Sequence, residues 1–154
     1  MTHRVLLIAC SNRKSNAPGL LPAVERYDGG LYRILRKSLA AGYWDLNNVL
    51  ILSARYGLID GKHPLPTYDQ KLTERDIPML RPKVQRDLVD RWEGMGRPQL
   101  LVCVSNLYIK LLSGCPALGN ATIASNLPIG KMHAKVSEWV RPSVGESKRQ
   151  GLWD

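Results

Sequence analysis

The sequence contains no phenylalanine, only three cysteines and only three histidines. No two cysteines are spaced as C-x-x-C, and His3, His63 and His133 are scattered rather than paired at the spacing of ligands on one helix. A metal site is therefore not expected. The cysteine count is odd and small for a disulfide framework. Because Cys10 and Cys103 lie inside apolar runs, we expect buried, reduced thiols.

Long apolar stretches are also missing. No stretch approaches the ~20 consecutive apolar residues that a membrane-spanning helix needs. The N-terminal "MTHRVLLIACSNRK" lacks the strongly basic leader and small-residue cleavage site of a signal peptide. We therefore expect a cytoplasmic protein that has no membrane-embedded part.

The signatures of several common catalytic folds are absent. The pair Gly130-Lys131 is not followed by the Ser or Thr of a Walker A loop, and the spacing of its glycines is wrong. The pair Gly29-Gly30 does not follow a predicted strand, so it is not a dinucleotide-binding fingerprint. There is no Gly-x-Ser-x-Gly elbow for a hydrolase serine. The sequence predicts no bound cofactor.

Acidic residues are few relative to basic ones. The chain has 22 Lys and Arg against 13 Asp and Glu, a formal net charge of +9. A basic surface concentrates phosphate-bearing partners, although it also simply favours solubility. The 154 residues are enough for one domain with a real core. We expect that domain in residues 1–142 and a polar tail in residues 143–154.

Alternating apolar and amphipathic segments predict the fold class. Apolar runs typical of strands buried on both faces are Val5 to Cys10, Val49 to Leu52, Leu100 to Val104 and Ala121 to Ala124. Helical patterns span about Leu31 to Leu39, about Arg81 to Glu93 with Pro82 in the first turn, "LYIKLL" after Asn106, and about Lys131 to Val140. The alternation predicts a Rossmann-like α/β fold with a mostly parallel sheet and helices on both faces.

Short polar side chains recur where the predicted strands end. The pairs are Ser11-Asn12, Ser105-Asn106 and Ser125-Asn126, and Ser53 follows the second strand. In an open parallel sheet, ligands bind beyond the carboxyl ends of the strands. Hydroxyl and amide groups there suit the edge of a sugar or a nucleobase. The alternative is that these residues only cap the helices that follow.

Cations form a second group near the same strand ends. Lys14 follows the first strand, Arg55 the second, and Gly130-Lys131 the fourth. Arg55 can hold a phosphate through two parallel hydrogen bonds, and Gly57 permits a left-handed turn beside it. Lys131 opens a helix whose free N–H groups favour an anion. We expect Arg55 and Lys131 to hold a phosphate.

One loop acid is the candidate catalytic group. Asp69 lies beside Tyr68 in "PTYDQKLT", after the second strand. A carboxylate next to a bound sugar acts as a nucleophile or a general base, and Tyr68 would stack on the ligand or hydrogen-bond to it. The alternative for Asp69 is a turn-forming role.

Residues 5–73 resemble known families. The segment "LILSARYGLIDGKHPLPTYDQKLT" is similar to a run in the YaaA peroxide-stress family. The matching residues are Ser53, Tyr56, Gly57, Leu58, Pro66 and Tyr68. Small uncharacterised bacterial and phage domains look closer still. They share Cys10, Ser11, Lys14, Pro22, Ala23, Tyr27, Leu31, Tyr32, Arg33, the "SARYGL" element and the Tyr68-Asp69 pair.

A related "SARYG" element occurs in a domain of archaeal tRNA-modifying transglycosylase relatives. The resemblance implies a Rossmann-like domain in a nucleic-acid or nucleobase context. We expect Ser53, Tyr56 and Gly57, which carry the resemblance, to be among the ligand-binding residues.

The sequence thus predicts a domain that binds a nucleotide or nucleoside at the rim of the sheet. If it is an enzyme, the expected reaction is hydrolysis or exchange at an N-glycosidic bond. The alternative is a non-catalytic DNA- or RNA-binding protein of stress response or defence, favoured by the net charge and by Arg33, Arg36 and Lys37. A third hypothesis is a structural module that docks through Trp153.

Overall fold

The fold is described by a computed structural model over residues 3–141. Its strands are β1 (Arg4–Ala9), β2 (Leu21–Pro22), β3 (Val49–Ser53), β4 (Gly57–Asp60), β5 (Pro64–Leu65), β6 (Gln99–Cys103) and β7 (Thr122–Ile123). Its α-helices are α1 (Ala23–Arg26), α2 (Gly30–Ala40), α3 (Ile77–Gly94), α4 (Asn106–Leu112) and α5 (Ile129–Trp139). The predicted tail, with Trp153, lies outside the described residues.

Five of these strands form one sheet in the order β4-β3-β1-β6-β7. The four strands predicted from apolar runs are mutually parallel, and β4 pairs antiparallel with β3 at one edge. In the centre, Leu7 of β1 lies between Leu50 of β3 and Val102 of β6. The short strands β2 and β5 form a separate antiparallel pair. The predicted α/β class with a mostly parallel sheet is confirmed.

The core is divided between the two faces of the sheet. Leu6 and Ile8 of β1 face a cluster that includes Leu35 of α2 and Val136 of α5. Val5 and Leu7 face a second cluster, which includes Leu88 of α3 and Leu111 of α4. Because successive side chains of a strand point to opposite faces, a strand covered by helices on both sides must be apolar throughout. The uninterrupted run in β1 has this cause.

Helix α3 begins earlier than predicted. It starts at Ile77 rather than near Arg81, so Pro82 lies inside the helix and not in its first turn. A capping box between Thr73 and Asp76 starts a short 3-10 turn that leads directly into the helix, with Pro78 at the helix start. Pro82 is tolerated because it and Pro78 are exposed, and the Pro78 carbonyl that receives no N–H from Pro82 can be hydrated.

No helix within residues 3–141 is long and apolar enough to cross a bilayer. The three cysteines carry free thiols, with Cys103 and Cys115 buried and Cys10 half-buried. Burial raises the pKa of the Cys103 thiol to about 12, so this thiol stays protonated and acts as a small apolar group.

Candidate ligand site at the carboxyl edge of the sheet

The carboxyl ends of β1, β3, β6 and β7 lie at one edge of the sheet, because these strands are parallel neighbours. The chain leaves β1 toward β3 on one side and later enters β6 on the other side. The order of the sheet therefore reverses between β1 and β6. Open α/β sheets bind ligands at such a topological switch point.

A cavity of about 290 Å³ lies at this switch point, and we call it the switch-point pocket. Its walls are the end of β1 (Ala9, Cys10 and Ser11), the start of α2 (Gly29 to Tyr32), the end of β6 (Cys103, Val104 and Ser105), Tyr108, and one side of α5 (Ile129, Met132 and His133). The lining combines two tyrosines and three sulfur-containing side chains with two serine hydroxyls and an imidazole. Few polar groups in a mainly apolar wall are typical of small-molecule sites.

Glycines bring the backbone of α2 against this pocket. A Cβ on Gly29 would lie 2.8 Å from Ser11 Oγ, and a Cβ on Gly30 would lie 2.6 Å from His133 Cε1. Neither position has room for a side chain while those neighbours stay in place. The first turns of α2 and α5 both border the pocket. Among the described residues, the N–H groups of Gly30 and Leu31 in α2 and of Ile129, Gly130 and Lys131 in α5 have no backbone partner, and the helix dipoles make this wall positive.

An adjoining pocket of about 290 Å³ opens on the other side of Cys10 and Tyr108. Asn12, Lys71, Leu72 and Leu107 line it, and Cys10, Ser105 and Tyr108 are shared with the switch-point pocket. The Cys10 thiol and the Tyr108 hydroxyl are hydrogen-bonded to each other at 2.8 Å. Burial, and then the neighbouring Cys10, raise the pKa of Tyr108 well above its usual value. This hydroxyl is therefore neutral where the two pockets meet.

Beside the switch-point pocket lies a cluster of tyrosines. The Tyr27 ring is 5.3 Å from that of Tyr32 and 6.3 Å from that of Tyr68, and the Tyr56 ring is 5.4 Å from Tyr68. The Tyr68 hydroxyl is hydrogen-bonded to the Tyr27 hydroxyl and, at 3.1 Å, to Ser53 Oγ. Burial raises the pKa of Tyr27 and of Tyr68. Both hydroxyls therefore stay protonated, and each is the hydrogen-bond partner of the other inside the protein.

Two cations cover this tyrosine cluster. Lys14 Nζ lies 4.8 Å from the centroid of the Tyr68 ring. Arg55 Cζ lies 5.9 Å from the same centroid and 5.5 Å from that of Tyr56. Within residues 3–141, neither Lys14 nor Arg55 forms a salt bridge. Their positive charges are held by aromatic rings and are not neutralised by carboxylates.

The "SARYG" element forms the turn between β3 and β4. Ser53 Oγ accepts hydrogen bonds of 3.2 Å from the N–H groups of Arg55 and Tyr56, and Ser53 pairs with Gly57 across the hairpin. Gly57 has φ of +73°, which confirms the predicted left-handed turn. Ala54 is buried. The turn thereby holds the Arg55 side chain at the carboxyl edge.

A buried arginine fixes the loop that follows β1. The side chain of Arg26 is fully buried and donates to the carbonyls of Ser15 (2.7 Å), Ala17 (2.9 Å), Gly19 (2.6 Å) and Leu65 (3.2 Å). The backbone of the same loop is tied down by the bonds from Ser15 N to Arg26 O and from Asp28 N to Arg13 O, both 2.8 Å long. The loop that carries Asn12 and Lys14 is therefore held in place from inside.

Several predicted site residues come together at this edge. Ser11 lines the switch-point pocket, Asn12 the adjoining pocket, and Ser105 both. Ser105 precedes α4 but its side chain makes no capping hydrogen bond. Ser125 has a structural role instead, since its hydroxyl accepts a 3.1 Å bond from Val104 N–H. Ser11 also makes an internal contact, since its hydroxyl donates a 2.9 Å bond to the Arg13 carbonyl. Ligand binding by Ser11, Asn12 and Ser105 stays a prediction.

Other predicted residues lie outside the two pockets. Asn106 is the first residue of α4, Gly130 and Lys131 belong to the first turn of α5, and all three are exposed. Asp69 is also exposed, and it forms no hydrogen bond or salt bridge through its side chain within the described part of the chain. Its catalytic role stays a prediction.

Sequence reasoning missed much of the pocket wall. Gly29 and Gly30 were set aside because they follow no strand, yet they begin α2 against Ser11 and His133. A glycine pair directly before an amphipathic helix was the available signal. Tyr108 and His133 were not singled out because each belongs to a helix that approaches β1 only in three dimensions.

The sequence profile of a family described as "Family of unknown function (DUF6884)" matches residues 5–138. The match extends from β1 into α5 and so includes every wall of the switch-point pocket. Among curated proteins, none matches the chain. The likeness to the YaaA and transglycosylase-associated domains stays a prediction from the residues that carry it.

Proposed function

The chain belongs to the DUF6884 family, whose function is unknown, and we propose, from its own site, that it binds a nucleotide- or nucleoside-like ligand in the switch-point pocket. The observation that carries this proposal is the position of the pocket. It lies between the carboxyl ends of β1 and β6, where the strand order reverses, and two helices begin at its wall.

The chemistry of the wall favours a ligand with a flat ring and several polar edges. Tyr32 and Met132 offer apolar contact, while Ser11, Ser105 and His133 offer hydrogen bonds to the edge of a base or the hydroxyls of a sugar. A volume of about 290 Å³ is at the lower end of the range for ligand pockets, about 300–1,000 Å³. One base or nucleoside would therefore fit better than a dinucleotide.

Catalysis at an N-glycosidic bond is a further part of this proposal and depends on Asp69. The described walls of the switch-point pocket contain no carboxylate. Asp69 would therefore have to approach the ligand from the exposed loop that follows Tyr68. Release of free base from a nucleoside, lost in Asp69→Asn, would support the reaction, and equal release by both proteins would exclude Asp69 from it.

Nucleic-acid binding by α2 is the less favoured alternative. Arg36 Nη2 lies 2.5 Å from an Asp28 carboxylate oxygen, and Arg33 Nε lies 3.6 Å from the same oxygen. The hydrogen bond from Arg36 lowers the pKa of Asp28 below its usual value. Two of the three cations that favoured this hypothesis therefore share an acidic partner, and Lys37 is the one of the three that forms no salt bridge among the described residues.

The proposal is tested by thermal unfolding with free bases, nucleosides and nucleotides. A ligand that binds only the folded protein at a hundred times its Kd adds about 2.7 kcal/mol. For a chain of this size that corresponds to a rise in Tm of roughly 5–10 °C. Ser105→Phe would fill the shared mouth of both pockets without removing a cap, and should abolish the shift. The matched control is Ser113→Phe, at the exposed opposite end of α4.

No rise in Tm with any member of the panel would contradict the proposal, as would a rise that Ser105→Phe leaves intact. A short DNA duplex and a single-stranded RNA belong in the same series. Binding to either one that falls steeply with salt and is unaffected by Ser105→Phe would favour the nucleic-acid alternative.

A further inference from the structure

We propose that Lys14 and Arg55 form an anion subsite that receives the phosphate of the ligand in the switch-point pocket. This inference rests on the proposed function and narrows it, because it makes the ligand a nucleotide rather than a nucleoside or a free base. Three observations carry it: the shared aromatic support of the two cations, their lack of acidic partners, and their distance from the pocket.

The first observation is that the two cations come from different strand ends and meet at one ring. Lys14 Nζ is 4.8 Å and Arg55 Cζ is 5.9 Å from the centroid of Tyr68. The ring itself is 9% exposed, and its hydroxyl is bonded to Ser53 and Tyr27. Tyr68 is thus covered by the cations and unavailable for stacking on a base. At this place the surface of the protein is therefore formed by the positive groups of Lys14 and Arg55, and the Tyr68 ring lies beneath them.

The second observation concerns charge balance. Within residues 3–141, Arg13 and Lys110 near this edge have acidic neighbours, whereas Lys71 and Lys131, like Lys14 and Arg55, form no salt bridge. Arg13 lies 3.7 Å from Asp28, and Lys110 lies 2.6 Å from Glu74. Lys14 and Arg55 have no such neighbour within 4.0 Å among the described residues. A tetrahedral anion with several oxygens would satisfy a guanidinium and an ammonium group at the same time.

The third observation is distance. Tyr32 lines the switch-point pocket, and the ring of Tyr27 lies between it and Tyr68, at 5.3 Å from the first and 6.3 Å from the second. Lys14 Nζ lies 5.8 Å from the centroid of the Tyr27 ring, so a single ring separates the pocket-lining Tyr32 from this cation. A phosphate on a ligand in the pocket would have to extend out of the pocket, past the edge of the tyrosine cluster, to reach Lys14 and Arg55. The rigid loop held by Arg26 keeps Lys14 at this position.

Two other titratable groups border the subsite. The His63 ring is 5.9 Å from that of Tyr56, so a protonated His63 would add to the positive charge. Asp69 follows Tyr68 in the chain and would oppose an anion if its carboxylate turned toward Lys14. Binding should therefore be measured at one fixed pH and at low, constant salt, since exposed charges are screened.

The experiment compares the four ribonucleosides, their 5′-monophosphates and inorganic pyrophosphate by calorimetric titration. We expect the preferred 5′-monophosphate to bind at least roughly tenfold more tightly than its nucleoside. Lys14→Met and Arg55→Met should each remove most of that difference and leave the affinity for the nucleoside unchanged. Lys14→Arg should keep it. Lys37→Met and Arg86→Met, which neutralise exposed cations on α2 and α3, are the matched controls.

The outcomes separate this inference from the proposed function. Equal affinity for nucleoside and 5′-monophosphate, or a difference that survives both substitutions, would overturn the subsite while leaving nucleoside binding intact. If no nucleoside or nucleotide binds, but pyrophosphate does so only when Lys14 and Arg55 are present, the subsite stands and the proposed function fails. Absence of binding to every compound would overturn both. Unchanged Tm values of the variants without ligand would show that they fold.

Discussion

Arg26 provides the strongest test of how this structure is held together. Its guanidinium is fully buried, and within residues 3–141 no carboxylate forms a salt bridge with it. Four carbonyls take the place of a counter-ion, three of them from the loop after β1 and one from Leu65. Replacing Arg26 with methionine keeps most of the volume and removes every donor.

The expected loss of stability depends on whether water can replace the hydrogen bond that each carbonyl loses. The carbonyls of Ser15, Ala17 and Gly19 belong to a loop of half-exposed and exposed residues, so water can replace part of what they lose. Leu65 is fully buried, and leaving its carbonyl unsatisfied costs about 1–3 kcal/mol. With the loosened loop added, we expect Arg26→Met to lower the free energy of unfolding by about 3 kcal/mol, within the range of roughly 2–5 kcal/mol.

Urea unfolding measures this loss. With a slope near 2 kcal/mol per M, the midpoint should fall by about 1.5 M. Arg26→Lys should recover only part of the stability, because three donors on one nitrogen cannot replace a planar fork that reaches four carbonyls. The control Arg86→Met makes the same change at an exposed position of α3 and should stay within about 0.5 kcal/mol.

A local measurement separates the loop from the rest of the fold. The amide of Ser15 is bonded to the Arg26 carbonyl, and the amide of Asp28 to the Arg13 carbonyl. Both amides should exchange their hydrogens faster in Arg26→Met than in the native protein, by a larger factor than the core amides of β1. A midpoint within about 0.2 M of that of the native protein, which is the resolution of the assay, would refute the role of Arg26. So would full stability in Arg26→Lys, because charge alone would then suffice.

Two further predictions concern other parts of the fold. Tyr68→Phe should lower the free energy of unfolding by about 1–2 kcal/mol, because Ser53 and Tyr27 lose a buried hydrogen-bond partner. Tyr27→Phe should cost less in the Tyr68→Phe protein than in the native protein, because the bond between the two hydroxyls is already lost. Additive losses in urea unfolding would contradict this coupling. The hydrogen bond from Arg91 lowers the pKa of Asp60, so this pair stabilises above the usual carboxyl pKa and loses its effect as pH falls through the lowered value. Asp60→Asn should thus cost about 0.2–1 kcal/mol near neutral pH and nothing in strong acid, and a pH-independent difference would exclude the pair as its cause.

The fold was predictable from the sequence where one physical signal dominated. Uninterrupted apolar runs such as Val5 to Cys10 can be buried on two faces at once only in a central strand, and β1 is that strand. The antiparallel strand β4 was missed, because Gly57 to Asp60 is short and alternates between buried and half-buried residues. The left-handed turn at Gly57 was predicted, and it was the available signal for a hairpin. The strand that begins at this glycine was not predicted.

The site was predictable only in part. Parallel strands bring their carboxyl ends to one edge, so Ser11 and Ser105 were predicted to be close although 94 positions separate their numbers in the chain. Which helices form the remaining walls depends on packing angles that no local pattern specifies. His133 on α5 and Tyr108 on α4 therefore entered the site only through the structure. Arg26 was missed for a related reason, since an arginine in sequence is expected to be exposed.

The "SARYG" element shows how structural and functional demands are divided within one motif. Ser53 caps the turn, Ala54 fills the core, Tyr56 packs against Tyr68, and Gly57 supplies the left-handed backbone. The side chain of Arg55 is exposed and does none of this. Its contacts with the tyrosine rings alone would contribute roughly 0.5–1 kcal/mol. The turn therefore holds Arg55 exposed on the same ring as Lys14, and the proposed anion subsite would give this exposed charge a function that the fold itself does not require.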